Sequence, residues 1–272
     1  MSQFVEWAAE VAREAGALLV VYYERRVPVE YKAGKGDVDV VTVADRAAEQ
    51  KIVERIRARF PEHAIVAEEG GVRESDSDYR WYVDPLDGTT NFAHGFPAFC
   101  VSLGLEKTGQ MIAAVVFDPL RNELFTAERG AGAFLNNRPI RVSRVASLAE
   151  SLLGTGFPSR KRHQNPNIHF YHQITLRSHG VRRAGSAALD LAYVAAGRLD
   201  GFWEFNLNAW DTAAGWLLVE EAGGRTSDMR GNRYGLDGDS IAVSNGLIHA
   251  PLLEAIAEVF RGQYREPLPK LP

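Results

Sequence analysis

Residues 81–92 read WYVDPLDGTTNF. Aromatic and β-branched residues open the stretch as a buried strand would, and the chain then runs straight into two carboxylates, Asp84 and Asp87, separated only by Pro85 and Leu86. Strand ends above a cleft are where ligand sites form. Pro85 fixes the backbone between the carboxylates, so both can turn to one point together with the carbonyl oxygen of Leu86. Hard oxygen donors at one point suit magnesium. Taken alone, DPLDG reads more readily as a turn, since Asp, Pro and Gly are favoured turn formers.

Three other segments change that balance. Glu68 and Glu69 follow the apolar run AIVA and precede Gly70-Gly71, so a second strand end carries carboxylates; by themselves they suit a solvated loop. Asp211 opens the apolar segment WDTAAGWLLVEEAGG, residues 210–224, where the helix dipole favours an acid whatever its function. Asp45 follows Thr42 by three residues at the start of a predicted helix, the spacing of a capping box.

The surrounding pattern is that of one packed α and β unit. Residues 2–24 place Val5, Ala8, Val11, Ala12, Ala15, Leu18, Leu19 and Tyr22 on one helical face. KAGKGDVD breaks the pattern as a mobile loop, and a second helix runs from about Ala44 to Phe60, ended by Pro61. The runs AIVA, WYVD, CVSLGLE, MIAAVVFD and ELFTAE predict a mainly antiparallel half, residues 1–145. LLGTG, VRRAG, LDGFWEF and SIAVSN alternate with helices near 167–178, 186–196, 209–222 and 249–261, predicting an α/β half over 146–272. With 46% hydrophobic residues the 272-residue chain can bury a full core, and its net charge of −4 argues against a nucleic-acid partner. A single cysteine, Cys100, fits a reduced, cytoplasmic location, and no run reaches the roughly 18 apolar residues of a membrane span.

WYVDPLDGTTNFAH and WDTAAGWLLVEEAGG resemble the two signature segments of the inositol monophosphatase family, and GSAALDLAYVAAGRLDGFWE is similar to its bacterial members. AEEG and VTVAD stand where that family has them. The likeness runs from the opening helix to about residue 260, leaving out the loop at 159–170 and the carboxy-terminal tail. It implies a layered αβαβα sandwich, with an antiparallel amino-terminal sheet and a mixed α/β carboxy-terminal one. It also implies a magnesium-dependent phosphatase that hydrolyses a small phosphate monoester, inositol 1-phosphate foremost, through activated water and no covalent intermediate. Glu68, Asp84 and the Leu86 carbonyl would then hold one magnesium, and Asp84, Asp87 and Asp211 a second, with a third, weaker ion beside Glu68. Thr89 and Asp45 would orient the water, and the Gly88 and Thr89 amides would hold phosphate.

On the substrate side the resemblance implies Asp87, Gly185, Ser186, Ala187, Glu204 and the outer oxygen of Asp211. Read locally, residues 185–187 are equally a glycine turn with Ser186 capping the next helix. Glu204 lies between Trp203 and Phe205, and a buried carboxylate there must find a partner. Lithium sensitivity follows from the same resemblance, as does a homodimer through Phe92, Phe96, Pro97 and Phe99, residues that otherwise suit a core. Related families act on fructose 1,6-bisphosphate, histidinol phosphate, nucleotide 3′-phosphates or NADP. Bacterial relatives also associate with transcription or ribosome-assembly factors, which leaves a regulatory binding protein as the alternative.

Other features carry less. His163, His169 and His172 lack the remaining ligands of a zinc site. Cys100 reads as a small buried hydrophobe, and Arg121-Asn122 as a hairpin turn. KAGKGD lacks the Gly-Lys-Ser/Thr ending of a nucleotide-binding loop.

Overall fold

Val5, Ala8, Val11, Ala12, Ala15 and Leu19 recur at the spacing of one helix face, and each is at most 1% exposed in α1 (Gln3–Arg25). Leu18 and Tyr22, expected on that face, lie at its margin and are half-buried. The computed structural model describes residues 2–25, 29–31, 40–157 and 165–268; the KAGKGDVD loop and His163 lie outside them. A short pair, β1 (Val29–Tyr31) and β2 (Val40–Thr42), precedes α2 (Val43–Arg59). Both helices pack on one face of the first sheet.

That sheet comprises β3 (Ala64–Ala67), β4 (Gly71–Arg73), β5 (Tyr79–Asp87), β6 (Cys100–Lys107), β7 (Gln110–Asp118), β8 (Glu123–Glu128), β9 (Gly132–Leu135) and β10 (Arg138–Ile140), with the five-residue α3 (Thr89–Ala93) between β5 and β6. Its order is β10-β9-β8-β7-β6-β5-β3-β4. Every neighbouring pair is antiparallel except β3 with β5. The second sheet comprises β11 (Leu152–Thr155), β12 (Gly180–Arg182), β13 (Gly201–Phe205), β14 (Arg225–Ser227) and β15 (Ser240–Ser244), in the order β12-β11-β13-β15-β14. It is mixed: β11 runs parallel to β12 and β13, and β15 antiparallel to β13 and β14. Four helices belong to it, α4 (Asn167–Thr175), α5 (Ala187–Ala195), α6 (Ala209–Glu221) and α7 (His249–Phe260).

The layers follow from which helices are apolar all round. α5 is buried along almost its whole length and α6 over most of its middle, as helices between two sheets must be. One core cluster accordingly joins Val116 and Phe125 of the first sheet to Phe202 and Val243 of the second through Leu191 and Leu217. Gly215 permits the close crossing, because a Cβ there would stand 2.5 Å from the Leu191 side chain. α4 and α7 cover the outer face around Phe170, Trp203 and Ile256. The result is the expected αβαβα sandwich.

Several expectations need correction. VRRAG supplies only the strand β12, which ends at Arg182. β1, β2, β4, β9, β10 and β14, each three or four residues long, are strands that the sequence does not predict. A signal existed for one hairpin: Asn136 and Asn137 have φ 48 and 63 and join Leu135 to its partner Arg138, as a two-residue turn of positive φ does. Phe92 and Phe99 are not surface residues; they are 4% and 0% exposed and pack with Tyr23, leaving only Phe96 and Pro97 outside. His169 stacks on Tyr264 and His172 meets Gln173. No helix among the described residues is long and apolar enough to cross a membrane.

His249, at the start of α7, is buried with its ring nitrogens 3.0 Å from the Ser227 hydroxyl and 3.1 Å from that of Ser244. Burial, with Arg225 adding positive charge, lowers its pKa to about 4. The unfolded chain therefore binds the extra proton first. His249 should cost stability as pH falls from about 6.5, the usual histidine value, to about 4. Denaturant midpoints of wild type and His249→Gln should diverge at pH 7 and converge towards pH 4; a constant difference would refute the neutral buried ring.

Candidate active site

Asp84 and Asp87 are three residues apart and would face opposite sides of a regular strand. Asp84 pairs with Ser102 and Asp87 with Cys100, which is three steps on β5 against two on β6. The extra residue makes a bulge at Pro85, which has no N–H to lose from the ladder. Both carboxylates thereby turn to one side. The Leu86 amide donates to Asp84 Oδ1 at 3.0 Å. Gly88, at φ 97, makes the turn into α3, and a Cβ there would stand 2.7 Å from the Ala98 carbonyl oxygen; only glycine fits.

Two helices deliver further carboxylates by the same device. At the start of α2, Asp45 Oδ2 accepts from the Thr42 amide at 2.7 Å and the Thr42 hydroxyl at 2.6 Å. At the start of α6, Asp211 Oδ2 accepts from the Asn208 amide at 2.7 Å and the Asn208 side chain at 3.2 Å. Each capping box uses one carboxylate oxygen and leaves the other for the cleft. Asp45 Oδ1 lies 3.1 Å from the Thr89 hydroxyl, which is also 3.1 Å from the Leu86 carbonyl oxygen. Asp87 Oδ2 accepts from the Ser186 hydroxyl and the Ala188 amide, both at 2.7 Å, so the first sheet is tied to the start of α5.

These bonds place part of the expected substrate set within the protein's own hydrogen bonds. Ser186 donates to Asp87 and accepts from the Leu189 amide at 3.4 Å as the cap of α5, so its hydroxyl proton is committed within the protein. The Gly88 amide also faces the Asp87 carboxylate. Gly185 has φ 84, and Ala187 is buried beside it. Asn91, overlooked in the sequence, ties this turn to α3, its amide donating to the carbonyls of Ala98 at 2.7 Å and Ala184 at 2.8 Å. Glu49 was also overlooked; it accepts from the Glu69 amide at 2.7 Å, beside Glu68. Cys100 is buried with Sγ 3.7 Å from the Ser186 hydroxyl, and burial pushes its thiol well up, as suits a core residue.

Electrostatics define the cleft. Asp84, 2% exposed, has its pKa driven well up by burial, then by the negative charges of Glu68, Asp87 and Asp211. Burial raises Asp87 to about 6 against the donors from Ser186, Ala188 and Gly88. It raises Asp211 to about 7, with Asp87 adding to the shift. Asp45 is raised by burial and by Glu69, against the Thr42 and Thr89 donors. Among the described residues no three acidic, histidine or cysteine side chains already close round one point; what converges is charge. A desolvated set of oxygen donors with too few hydrogen-bond donors fits a hard divalent cation. Glu204, on β13, is 5% exposed, and burial raises its pKa well above normal.

Mutual repulsion makes a stability prediction. Asp211→Asn keeps an oxygen for the Asn208 amide and removes one charge, so the metal-free protein at pH 8 should gain about 1 kcal/mol or more. The same change should abolish most of the stabilisation that added magnesium gives the wild type. Thermal melts with and without the cation check both; a less stable metal-free variant would contradict the repulsion.

The model of the inositol monophosphatase family matches residues 1–261. The Nus factor SuhB of Pseudomonas aeruginosa is 47% identical, over 94% of this chain and 96% of its own. The inositol-1-monophosphatase of Mesorhizobium japonicum is 49% identical, over 82% of this chain and 84% of its own. The solved inositol monophosphatase of Anabaena (Nostoc) superposes with a TM-score of 0.85 at 43% identity, over 94% of this chain and 95% of its own. A capped carboxylate pair, a bulged strand and this likeness along nearly the whole chain lead to one assignment: the chain belongs to the inositol monophosphatase family.

Proposed function

We propose that this protein is a magnesium-dependent phosphatase that hydrolyses a small phosphate monoester, inositol 1-phosphate foremost, in the cytoplasm and as a homodimer. The observation that carries the reading is the charge held by Asp84, Glu68, Asp87 and Asp211 beside the Thr89–Asp45 pair. Residues 1–145 supply all of these except Asp211, and we take them and residues 146–272 as two subdomains meeting at the cleft. Glu68, Asp84 and the Leu86 carbonyl would hold one magnesium, and Asp84, Asp87 and Asp211 another, with a weaker third beside Glu68. Bound there, the ions supply charge that polarises the phosphate and favours loss of a proton from the attacking water.

The chain's own groups perform the rest. The Thr89 hydroxyl donates to Asp45 Oδ1, which leaves its lone pairs to accept from water and fix the line of attack. Asp45 is well placed to draw the proton through Thr89, since burial raises its proton affinity. The Thr89 and Gly88 amides, at the start of α3, would grip phosphate oxygens. Glu204 accepts from the leaving group's hydroxyls at the other end. Relatives that bear the name Nus factor SuhB match as well as those named phosphatases, which favours a second reading, a transcription-associated binding role on the same fold. If an Asp84→Asn chain restores growth to cells lacking the protein, the binding role is the physiological one.

EDTA should abolish phosphate release and magnesium restore it, with lithium inhibiting at fixed ionic strength. Asp84→Asn should lower kcat by about 10³-fold or more, because charge stabilisation is usually the largest catalytic contribution. Phosphate release that persists in metal-free protein would end the proposal. Glu204→Gln should lower kcat/KM on inositol 1-phosphate about tenfold relative to p-nitrophenyl phosphate, as loss of a charged hydrogen bond predicts. Equal proportional losses would remove Glu204 from recognition.

A further inference from the structure

A cavity of about 310 Å³ opens between α2 and the β3–β4 hairpin. Its floor is apolar: Val53 from α2, with Ile65 and Ala67, which stand two apart on β3 and so share a face. The hairpin leaves the space open, because Gly71 pairs with Ala67 and a Cβ there would meet nothing within 4 Å. None of the residues proposed to hold magnesium lines it, so its occupant is not the reacting ester.

The charged side chains that line the same space divide by whether they have partners. Glu49 accepts from the Glu69 amide at 2.7 Å, and Glu54 from the Gln50 side chain at 2.8 Å. Arg57 and Arg73, also lining it, have no ion pair and no side-chain hydrogen bond among the described residues. Both stand towards the end of the cavity away from the Glu69–Gly70 turn. Arg57 is about two turns of α2 beyond Glu49, and Arg73 pairs across the hairpin with Ile65, further from the turn than Ala67. Two guanidinium groups without a counter-charge at one end suit an anion, since each offers a planar fork of donors that matches a carboxylate or phosphate. The apolar floor beside them suits a carbon body attached to that anion.

We propose that this cavity binds a small organic oxyanion, its carboxylate or phosphate between Arg57 and Arg73 and its compact apolar body over Val53, Ile65 and Ala67. The site stands apart from the carboxylate cleft and needs no metal. Charge-assisted bonds to the two guanidinium groups give the selectivity, because a neutral molecule of the same shape leaves both unpaired. At the other end the wall is Glu49, whose bond to the Glu69 amide holds the chain next to Glu68, which puts the occupant behind the turn that carries Glu68.

Calorimetry on metal-free protein tests it, with benzoate and phenylphosphonate as the anionic probes and benzamide as the neutral one. Without metal the carboxylate cleft repels anions, so the heat of binding reports the cavity. At least one anion should bind about tenfold or more tightly than benzamide; the tighter of the two tells whether the natural ligand carries phosphate or carboxylate. Arg57→Gln and Arg73→Gln, both at exposed positions, should each weaken that binding about tenfold. Val53→Phe, which fills the floor with both arginines in place, should abolish it. Anion binding no tighter than that of benzamide overturns the site, as does binding unchanged in both arginine variants or in Val53→Phe. The arginine variants decide the matter even where Val53→Phe does not fold. If no ester is hydrolysed the phosphatase reading fails, while these titrations still decide the cavity.

Discussion

Repulsion among carboxylates is the constraint that the rest of the molecule has to hold in check. Asp84, Glu68, Asp87 and Asp211 come from three separate stretches of chain and act on one another in a partly desolvated cleft. Like charges so placed would separate in a flexible chain. Each of the aspartates is held by a backbone amide: Leu86 for Asp84, Ala188 for Asp87, Asn208 for Asp211. Those donors sit at a bulge and at two helix starts, where amide groups are unpaired by geometry. The site is thus assembled from backbone that secondary structure leaves unsatisfied.

The layered fold makes those ends meet. α5 and α6 lie between the two sheets, and their amino-terminal ends reach the carboxyl end of β5 through Asp87–Ala188 and the Asp84–Asp211 pair. Asn91 adds a bond from α3 to the turn before α5. Because the central helices contribute to one continuous core, shifting them would cost packing as well as hydrogen bonds. The cleft geometry is therefore linked to the stability of the whole sandwich, which is why substitutions far from the carboxylates, such as filling Gly215, would disturb it.

Much of the site was readable from spacing. The Thr42–Asp45 interval announced a capping box, and the structure contains it. Taken locally Asp211 reads as a first-turn acid, yet Asn208-x-x-Asp211 is the same device with asparagine as the cap. Ser186 was open to both a cap and a substrate contact, and its bonds to Asp87 and Leu189 make it the cap. Asn91 signals nothing in the sequence because its importance depends on what faces it: an amide within a turn carries no meaning until Ala184 is known to lie opposite.

The sequence by itself determined the helices with long apolar faces, the longer strands and the acidic segments, because periodicity, turn chemistry and capping are local properties. It also carried the family likeness in its two signature segments. Tertiary structure decided the pairing of the shortest strands, since three residues hold too little pattern to specify partners. It decided that Phe92 and Phe99 are core while Phe96 is surface, which depends on α1 lying across them. Above all it decided that Asp84 and Asp87 face one way: a one-residue difference in register between β5 and β6 sets that, and register exists only once two strands have met.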